Sequence, residues 1–168
     1  QAGIFTQLEK SGTLTADEVA LRLPAGSLYV DFSRPMIYDY TNTPDRRESE
    51  PHYIAFVIRG RSKNPPVFVD LGPAKPIDEA VYAYRKALLQ TCELSRGLAR
   101  LPGAATPAMT LASFDEATKR LSGLVYEPLA AYLVHCRHAV ICPEGSLNLV
   151  PFSALTAKDG RYLVELMG

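Results

Sequence analysis

His135-Cys136-Arg137-His138 is where residue types capable of metal or thiol chemistry crowd together in this chain. Two imidazoles and a thiol so close are zinc-ligand types. A structural zinc site takes four ligands, however, and the remaining histidine, His52, stands in a distant polar stretch that reads as a surface loop. A thiol beside a histidine is also the pair from which a cysteine nucleophile is made, but that use needs a lowered thiol pKa and an open pocket. Helical phase puts Cys136 on the side of Tyr132 and Leu133, so it is expected to pack as a small apolar group. A second thiol, Cys142, ends an apolar run just before Pro143-Glu144-Gly145. That position imitates a nucleophile's, yet free cysteines are commonly buried, and the expectation is again structural.

The carboxylates offer no pair either. Asp31 alternates with Tyr29 and Ser33 and so faces away from Leu28, Val30 and Phe32. Asp70 ends an apolar run before Gly72, as turn acids do. Asp78 falls in a first helical turn, where the backbone dipole favours a negative charge. Gly72, Gly145 and Gly160 belong to no Gly-x-Gly-x-x-Gly and no Gly-Lys-Ser/Thr, so no phosphate loop is present. The nine tyrosines fall mainly on strand and helix faces and read as core and rim rather than a base-stacking platform. On these grounds no catalytic, cofactor-binding or metal-ligating residue is assigned, and no cofactor is expected.

The elements that would position such groups centre on the stretch from Arg137 to Glu165. Ala139-Val140-Ile141-Cys142 is uniformly apolar, which suits a strand buried on both faces. Pro143-Glu144-Gly145 stops it; Leu147, Leu149 and Phe152 are expected to return to the core, with Gly160 to Glu165 as a further strand. Upstream, Thr15-Ala16-Asp17-Glu18 has the form of a capping box and predicts a short helix ending near Leu23-Pro24. Ser27 to Ser33, Tyr53 to Ile58 and Pro66 to Gly72 read as strands, the last two forming an antiparallel hairpin. Arg59, Arg61 and Lys63 then sit at a solvated hairpin tip. Residues 41–52 are polar, contain Pro44 and Pro51, and read as a surface loop. Ile77, Val81, Tyr84 and Leu88 mark one face of a long helix starting near Pro76. Ser113-Phe114-Asp115-Glu116 looks like a second capping box, and Pro128 predicts a kink or a new helix. The expected class is α/β: one domain over 1–168, with a mixed sheet covered by helices on both faces.

With 18 Lys plus Arg against 18 Asp plus Glu, net charge is zero, which gives no global attraction to nucleic acid or to an anionic membrane. No apolar run approaches the roughly 20 residues of a membrane span, and Gln1 to Thr6 is not a signal peptide. Three cysteines argue against a disulfide scaffold and for the cytoplasm.

Several of these segments, taken in order, carry a resemblance. Leu28 to Phe32, Tyr53 to Ile58, Val69-Asp70-Leu71-Gly72-Pro73-Ala74, then Ile77-Asp78 and Arg85 are similar to the opening of a CHAT domain. This is the caspase-like domain often found behind tetratricopeptide repeats. The resemblance continues through Leu124, Pro128-Leu129 and Leu133, then Ile141 to Leu147, Pro151 to Leu155 and Gly160 to Glu165. It spans residues 15–165, which leaves 1–14 as a linker from an upstream region. The resemblance implies a caspase-like half-domain and a parent family of cysteine endopeptidases. In that family a His-x-x-x-His-Gly and a Ser-Ala-Cys motif follow the Gly-Arg-Tyr-Leu segment, and neither occurs in these 168 residues. The implied role is the N-terminal, pseudo-protease scaffold, catalytically silent alone. Its implied partner is the C-terminal catalytic half or an upstream repeat domain of the same protein. A strand edge left open would also permit homo-oligomers. Two other readings from sequence are a stand-alone protein-interaction module of the same fold without peptidase activity and, least favoured, a small enzyme using Cys136 or Cys142 with His138.

Overall fold

The computed structural model describes residues 14–38, 49–95, 107–134 and 136–166. Five strands form one mixed sheet. They are β1 (Ser27–Ser33), β2 (Met36–Tyr38), β3 (Ser49–Arg59), β4 (Val67–Pro73) and β5 (His138–Cys142). The helices are α1 (Ala16–Arg22), α2 (Ala74–Ser95), α3 (Pro107–Val125), α4 (Ala130–Leu133) and α5 (Leu163–Leu166), with short 3-10 turns at Glu127–Leu129, Gly145–Leu149 and Phe152–Ala154. The protein is α/β, as the sequence predicts.

Strand β3 is the hub, bonding antiparallel to β1, β2 and β4. The register against β3 is unbroken from Leu28↔Arg59 through Ser33↔Ile54 to Tyr38↔Ser49. β2 therefore prolongs β1 past Arg34-Pro35, and the Pro35 carbonyl still accepts from His52 N–H at 3.0 Å. This is why residues 49–52 are strand and not loop. Pro51 is tolerated near the strand's start, as proline tends to be in sheets. Sequence reading missed β2 because Met36-Ile37-Tyr38 is too short to show a period. β5 then lies parallel to β1, from Ser27↔His138 to Asp31↔Cys142.

Alternation on these strands separates two faces. Leu28, Val30, Phe32, Tyr53, Ala55 and Val57 are buried and share one core cluster, joined by half-buried Val69, Ala139 and Ile141. α2 brings Ile77, Ala80, Val81 and Tyr84 to the same cluster at steps of three, one and three, and α3 brings Leu121 and Val125. Tyr84 and Phe114 pack ring to ring at 5.5 Å and tie the two helices together. Fully burying side chains of this size stabilises by about 1.5–3 kcal/mol each. α1 stands apart. Its capping box forms as predicted, with Thr15 N–H on the Glu18 carboxylate at 2.8 Å and Glu18 N–H on the Thr15 hydroxyl at 3.3 Å. Arg61 N–H then ties α1 to the far end of β3 through the Ala20 carbonyl at 2.8 Å.

Four further expectations are corrected. Ser113 to Glu116 is interior to α3, which starts at Pro107; proline at a first helical position suits an N-terminus, so the box lies nearly two turns late. Gly160 to Glu165 is not a strand: Tyr162 makes one isolated bridge to Thr156, and Leu163 opens α5. Glu165 caps that turn by accepting from Tyr162 N–H at 2.9 Å. Lastly, β5 is not buried on both faces, since Val140 is 47% exposed, and Leu149 is exposed as well, while Leu147 is fully buried.

Gly60 allows the closest backbone approach. A Cβ there would collide with the Pro24 carbonyl oxygen and stand 2.7 Å from the Ser27 hydroxyl. Gly60→Ala should cost about 2–3 kcal/mol in urea unfolding, the upper range for overpacking. Gly123, inside α3 with nothing near its Cβ direction, is the control. Gly123→Ala should raise stability by about 1 kcal/mol.

Candidate functional site

The parallel pair β1 and β5 ends in two loops on the same side, Arg34-Pro35 after β1 and Pro143 to Ser146 after β5. In α/β sheets ligand sites form beyond the carboxyl ends of parallel strands. Here that place is filled by a cluster around Asp78, in the second turn of α2. Tyr53 of β3 donates its hydroxyl to Asp78 Oδ1 at 2.9 Å. Ser146 donates its hydroxyl to the same oxygen at 2.5 Å. Arg34 donates from Nη2 to Oδ2 at 3.1 Å, and its guanidinium also stands 5.8 Å from the Tyr53 ring centroid. Two further bonds close the knot. Ser146 N–H reaches the Tyr53 hydroxyl at 3.0 Å, and Arg34 N–H reaches Glu144 Oε2 at 3.0 Å.

Local sequence explains each placement. Tyr53 alternates with Ala55 and Val57, so its ring enters the core and its hydroxyl emerges beside α2. Gly145 turns the chain with φ +59°, and a Cβ there would stand 2.5 Å from the Tyr53 hydroxyl oxygen. Glycine meets both demands at once.

Burial pushes the Asp78 carboxyl up, but the Ser146 and Tyr53 hydroxyls and the Arg34 guanidinium outweigh it, so its pKa lies below the ordinary carboxylate value. Tyr53 moves the other way: burial raises its hydroxyl above the ordinary phenol value, although the Ser146 hydroxyl opposes the rise. A carboxylate with three donors is held ionised and is a weak base. Ser146 donates its hydroxyl hydrogen bond to that carboxylate, and among the described residues no imidazole is bonded to Ser146. The arrangement holds loops together, and among the described residues it pairs no nucleophile with a base that would activate it.

The thiols and histidines are dispersed. Cys136 is buried as expected, and its thiol donates to the His138 carbonyl at 3.1 Å. The His138 side chain is exposed, and His135 lies outside the described residues. Cys142 is exposed rather than buried, at the end of β5, where it pairs in register with Asp31. Beside it the Tyr29 hydroxyl is pushed up to about 12, first by burial, then by the Asp31 charge and the Cys142 sulfur. His52 belongs to β3, not to a loop, and sits between Asp70 at 3.2 Å and Glu50 at 3.4 Å. Asp70 also accepts from Gly72 N–H at 2.8 Å, as a turn acid should. Burial raises the Asp70 carboxyl, yet Gly72 and His52 bring it below its ordinary value. Arg59 donates to the Tyr132 carbonyl at 3.1 Å, while Arg61 and Lys63 are exposed. Among the described residues no three His, Cys, Asp or Glu side chains are arranged to hold a metal ion, and no helix is long and apolar enough to cross a membrane.

The sequence singled out Asp78 alone from the central cluster, and only as a helix-turn acid. Tyr53, Ser146 and Arg34 carried no local signal beyond strand and turn propensity. No protein-family model matches the chain, and no curated protein or solved structure is similar to it.

Asp78 has a depressed folded-state pKa, so its stabilisation is present above the unfolded value of about 3.9 and is lost as pH falls through the lower folded value. Asp78→Asn should therefore destabilise by about 1–2 kcal/mol at pH 7, the scale of hydrogen bonds to a partly exposed charge. The gap from the parent chain should stay constant between about pH 5 and 8 and narrow below about pH 4, measured by urea titration at each pH. Gly145→Ala combines a positive φ with the clash on Tyr53. It should cost about 2–4 kcal/mol and expose β5 amides to hydrogen exchange, whereas equal protection in both chains would show that the loop does not lean on Tyr53.

Proposed function

We propose that the chain is the N-terminal scaffold part of a CHAT-type, caspase-like cysteine peptidase, cytoplasmic and catalytically silent alone. The observation that carries this reading is the fate of its polar groups. Cys136 is buried on the His138 carbonyl, and Asp78 is occupied by three donors. Neither pairs with an imidazole among the described residues. A thiol peptidase needs a thiolate–imidazole pair and oxyanion donors, and these would come from another part of the protein. This part supplies a mixed sheet and locked loops at the carboxyl ends of β1 and β5. Among the described residues β5 pairs with β1 alone, so its outer edge is open to a partner strand from the catalytic part.

A second reading is a stand-alone interaction module of this fold. One observation favours it: among the described residues no buried side-chain nitrogen or oxygen lacks a partner. Such a fold closes its own polar network without outside help.

The two readings separate in one experiment. The 168-residue chain and the full product of its gene are assayed together with fluorogenic peptides and an alkylating active-site probe. The chain alone should cleave nothing, with Cys136→Ser and Cys142→Ser making no difference. The full product should cleave, with the probe on a cysteine beyond Gly168 and a His-x-x-x-His-Gly upstream of it. Thiol-dependent cleavage by the chain alone overturns the scaffold reading. A full product without activity leaves the interaction module.

A further inference from the structure

The amino ends of β1 and β5 and the carboxyl end of β3 meet at one pole of the sheet, opposite the Asp78 cluster. Backbone hydrogen bonds stitch three segments together there. Arg61 N–H reaches the Ala20 carbonyl of α1 at 2.8 Å, Gly60 N–H the Ser27 carbonyl at 2.9 Å, and Arg137 N–H the Gly26 carbonyl at 2.9 Å. These bonds bring Arg22, Arg59, Arg61, Lys63 and Arg137 to one end of the molecule, and all five residues are exposed. The Arg137 side chain lies over the α1–β1 turn, its Cδ 4.0 Å from where a Cβ on Gly26 would stand. The acids of these segments are Asp17 and Glu18, both in the first turn of α1, and Glu18 is held by Thr15. Among the described residues Arg22, Arg61, Lys63 and Arg137 join no ion pair. A chain with equal numbers of acids and bases thus keeps an excess of cations at one end.

Arg61 marks the pole in a second way. Among the described residues it is the one non-glycine with a positive φ, +58°. Glycine enters that region without strain, whereas an L side chain does not. Strained backbone of this kind gathers where a side chain is put to use.

The chemistry of the pole selects among anionic partners. Four of its five cations are arginines, whose planar fork pairs with a carboxylate through two parallel hydrogen bonds. Leu21 is 62% exposed and Val134 54%, so aliphatic side chains stand in the same segments as the charges. The aromatic ring of these segments, Tyr132, packs against the core cluster and leaves no platform on which bases could stack.

We propose that this pole is a docking surface for an acidic segment of a partner protein, one that also carries aliphatic side chains. Its carboxylates pair with Arg22, Arg61 and Arg137, and its aliphatic groups cover Leu21 and Val134.

The test is fluorescence anisotropy on the 168-residue chain with three labelled probes. They are a peptide of Glu-Glu-Leu repeats, the same peptide with Gln for Glu, and a single-stranded RNA of equal length. The acidic peptide should bind saturably and weaken as salt rises from about 50 to about 300 mM, and the Gln peptide should not bind. Arg61→Gly removes the charge from a backbone that glycine adopts freely, and should weaken binding about threefold. Arg22→Glu with Arg137→Glu should weaken it about tenfold. Lys75→Glu with Lys86→Glu makes the same change of net charge on α2, where both residues are exposed, and should leave binding unchanged. Circular dichroism checks each fold, and if the arginine double variant unfolds, Arg61→Gly carries the test. No binding of the acidic peptide overturns the proposal, as does full binding in Arg61→Gly. Tighter binding of the RNA than of the acidic peptide also overturns it and gives the pole to nucleic acid. Equal losses in the two double variants overturn it by reducing the effect to net charge.

Discussion

One carboxylate carries the architecture at the carboxyl ends of the parallel strands. Asp78 draws Tyr53 from β3, Arg34 from the β1 corner and Ser146 from the β5 loop onto the start of α2. Hydrogen bonds to an ionised acceptor are the stronger kind, and each surviving partner would be left half-satisfied if the acid were removed. Remove the acid and a phenol, a hydroxyl and a guanidinium would share one small volume without the carboxylate that accepts from all three. The loop after β5 bends back onto the same cluster and carries Leu147 into the core beside it. Its glycine accepts φ +59° at a point where any side chain would strike the Tyr53 hydroxyl.

That constraint bears on chemistry as well as on shape. A carboxylate already accepting from three donors has little affinity left for a substrate proton. A thiol donating to a carbonyl inside the core, as Cys136 does, is engaged with the backbone and shut away from solvent. Cys136 and Asp78, groups of catalytic type, are thus used here to join segments. The exposed Cys142 differs in having solvent access, but the groups beside it are a neutral phenol and a carboxylate.

What could be foreseen from sequence was local. The Thr15 to Glu18 box, the alternation along β1, the β3–β4 hairpin and the four-three-four spacing in α2 each need only neighbours within a few residues. The bonds that build the central cluster span 25, 44 and 68 residues. Nothing in the types Tyr, Arg and Ser marks which distant acid they will find. The misplaced start of α3 has a related cause. Ser113 to Glu116 has the right letters for a cap, but Pro107 offers an earlier start, and the apolar contacts of Phe114 with Tyr84 extend the helix upstream. Gly160 to Glu165 failed for a different reason. A run of three residues with strand propensity is outweighed when the acid that follows it, Glu165, can cap a helical turn at Tyr162.

The exposure of β5 comes from the same separation between pattern and context. Strand β1 alternates cleanly, with Leu28, Val30 and Phe32 inward and Tyr29 and Asp31 outward, as a strand does when one face meets water. Strand β5 does not alternate: Val140 is as apolar as Ala139 and Ile141 beside it. In the described residues only one of its faces is covered, by the cluster that holds Ala139 and Ile141. Solvent on the other face sets no requirement for valine, and a polar residue there would cost the fold nothing. An apolar outer face on that strand, continued across Tyr29 and Ile58 to the Phe56–Phe68 pair, is the pattern of a sheet built to have both faces occupied.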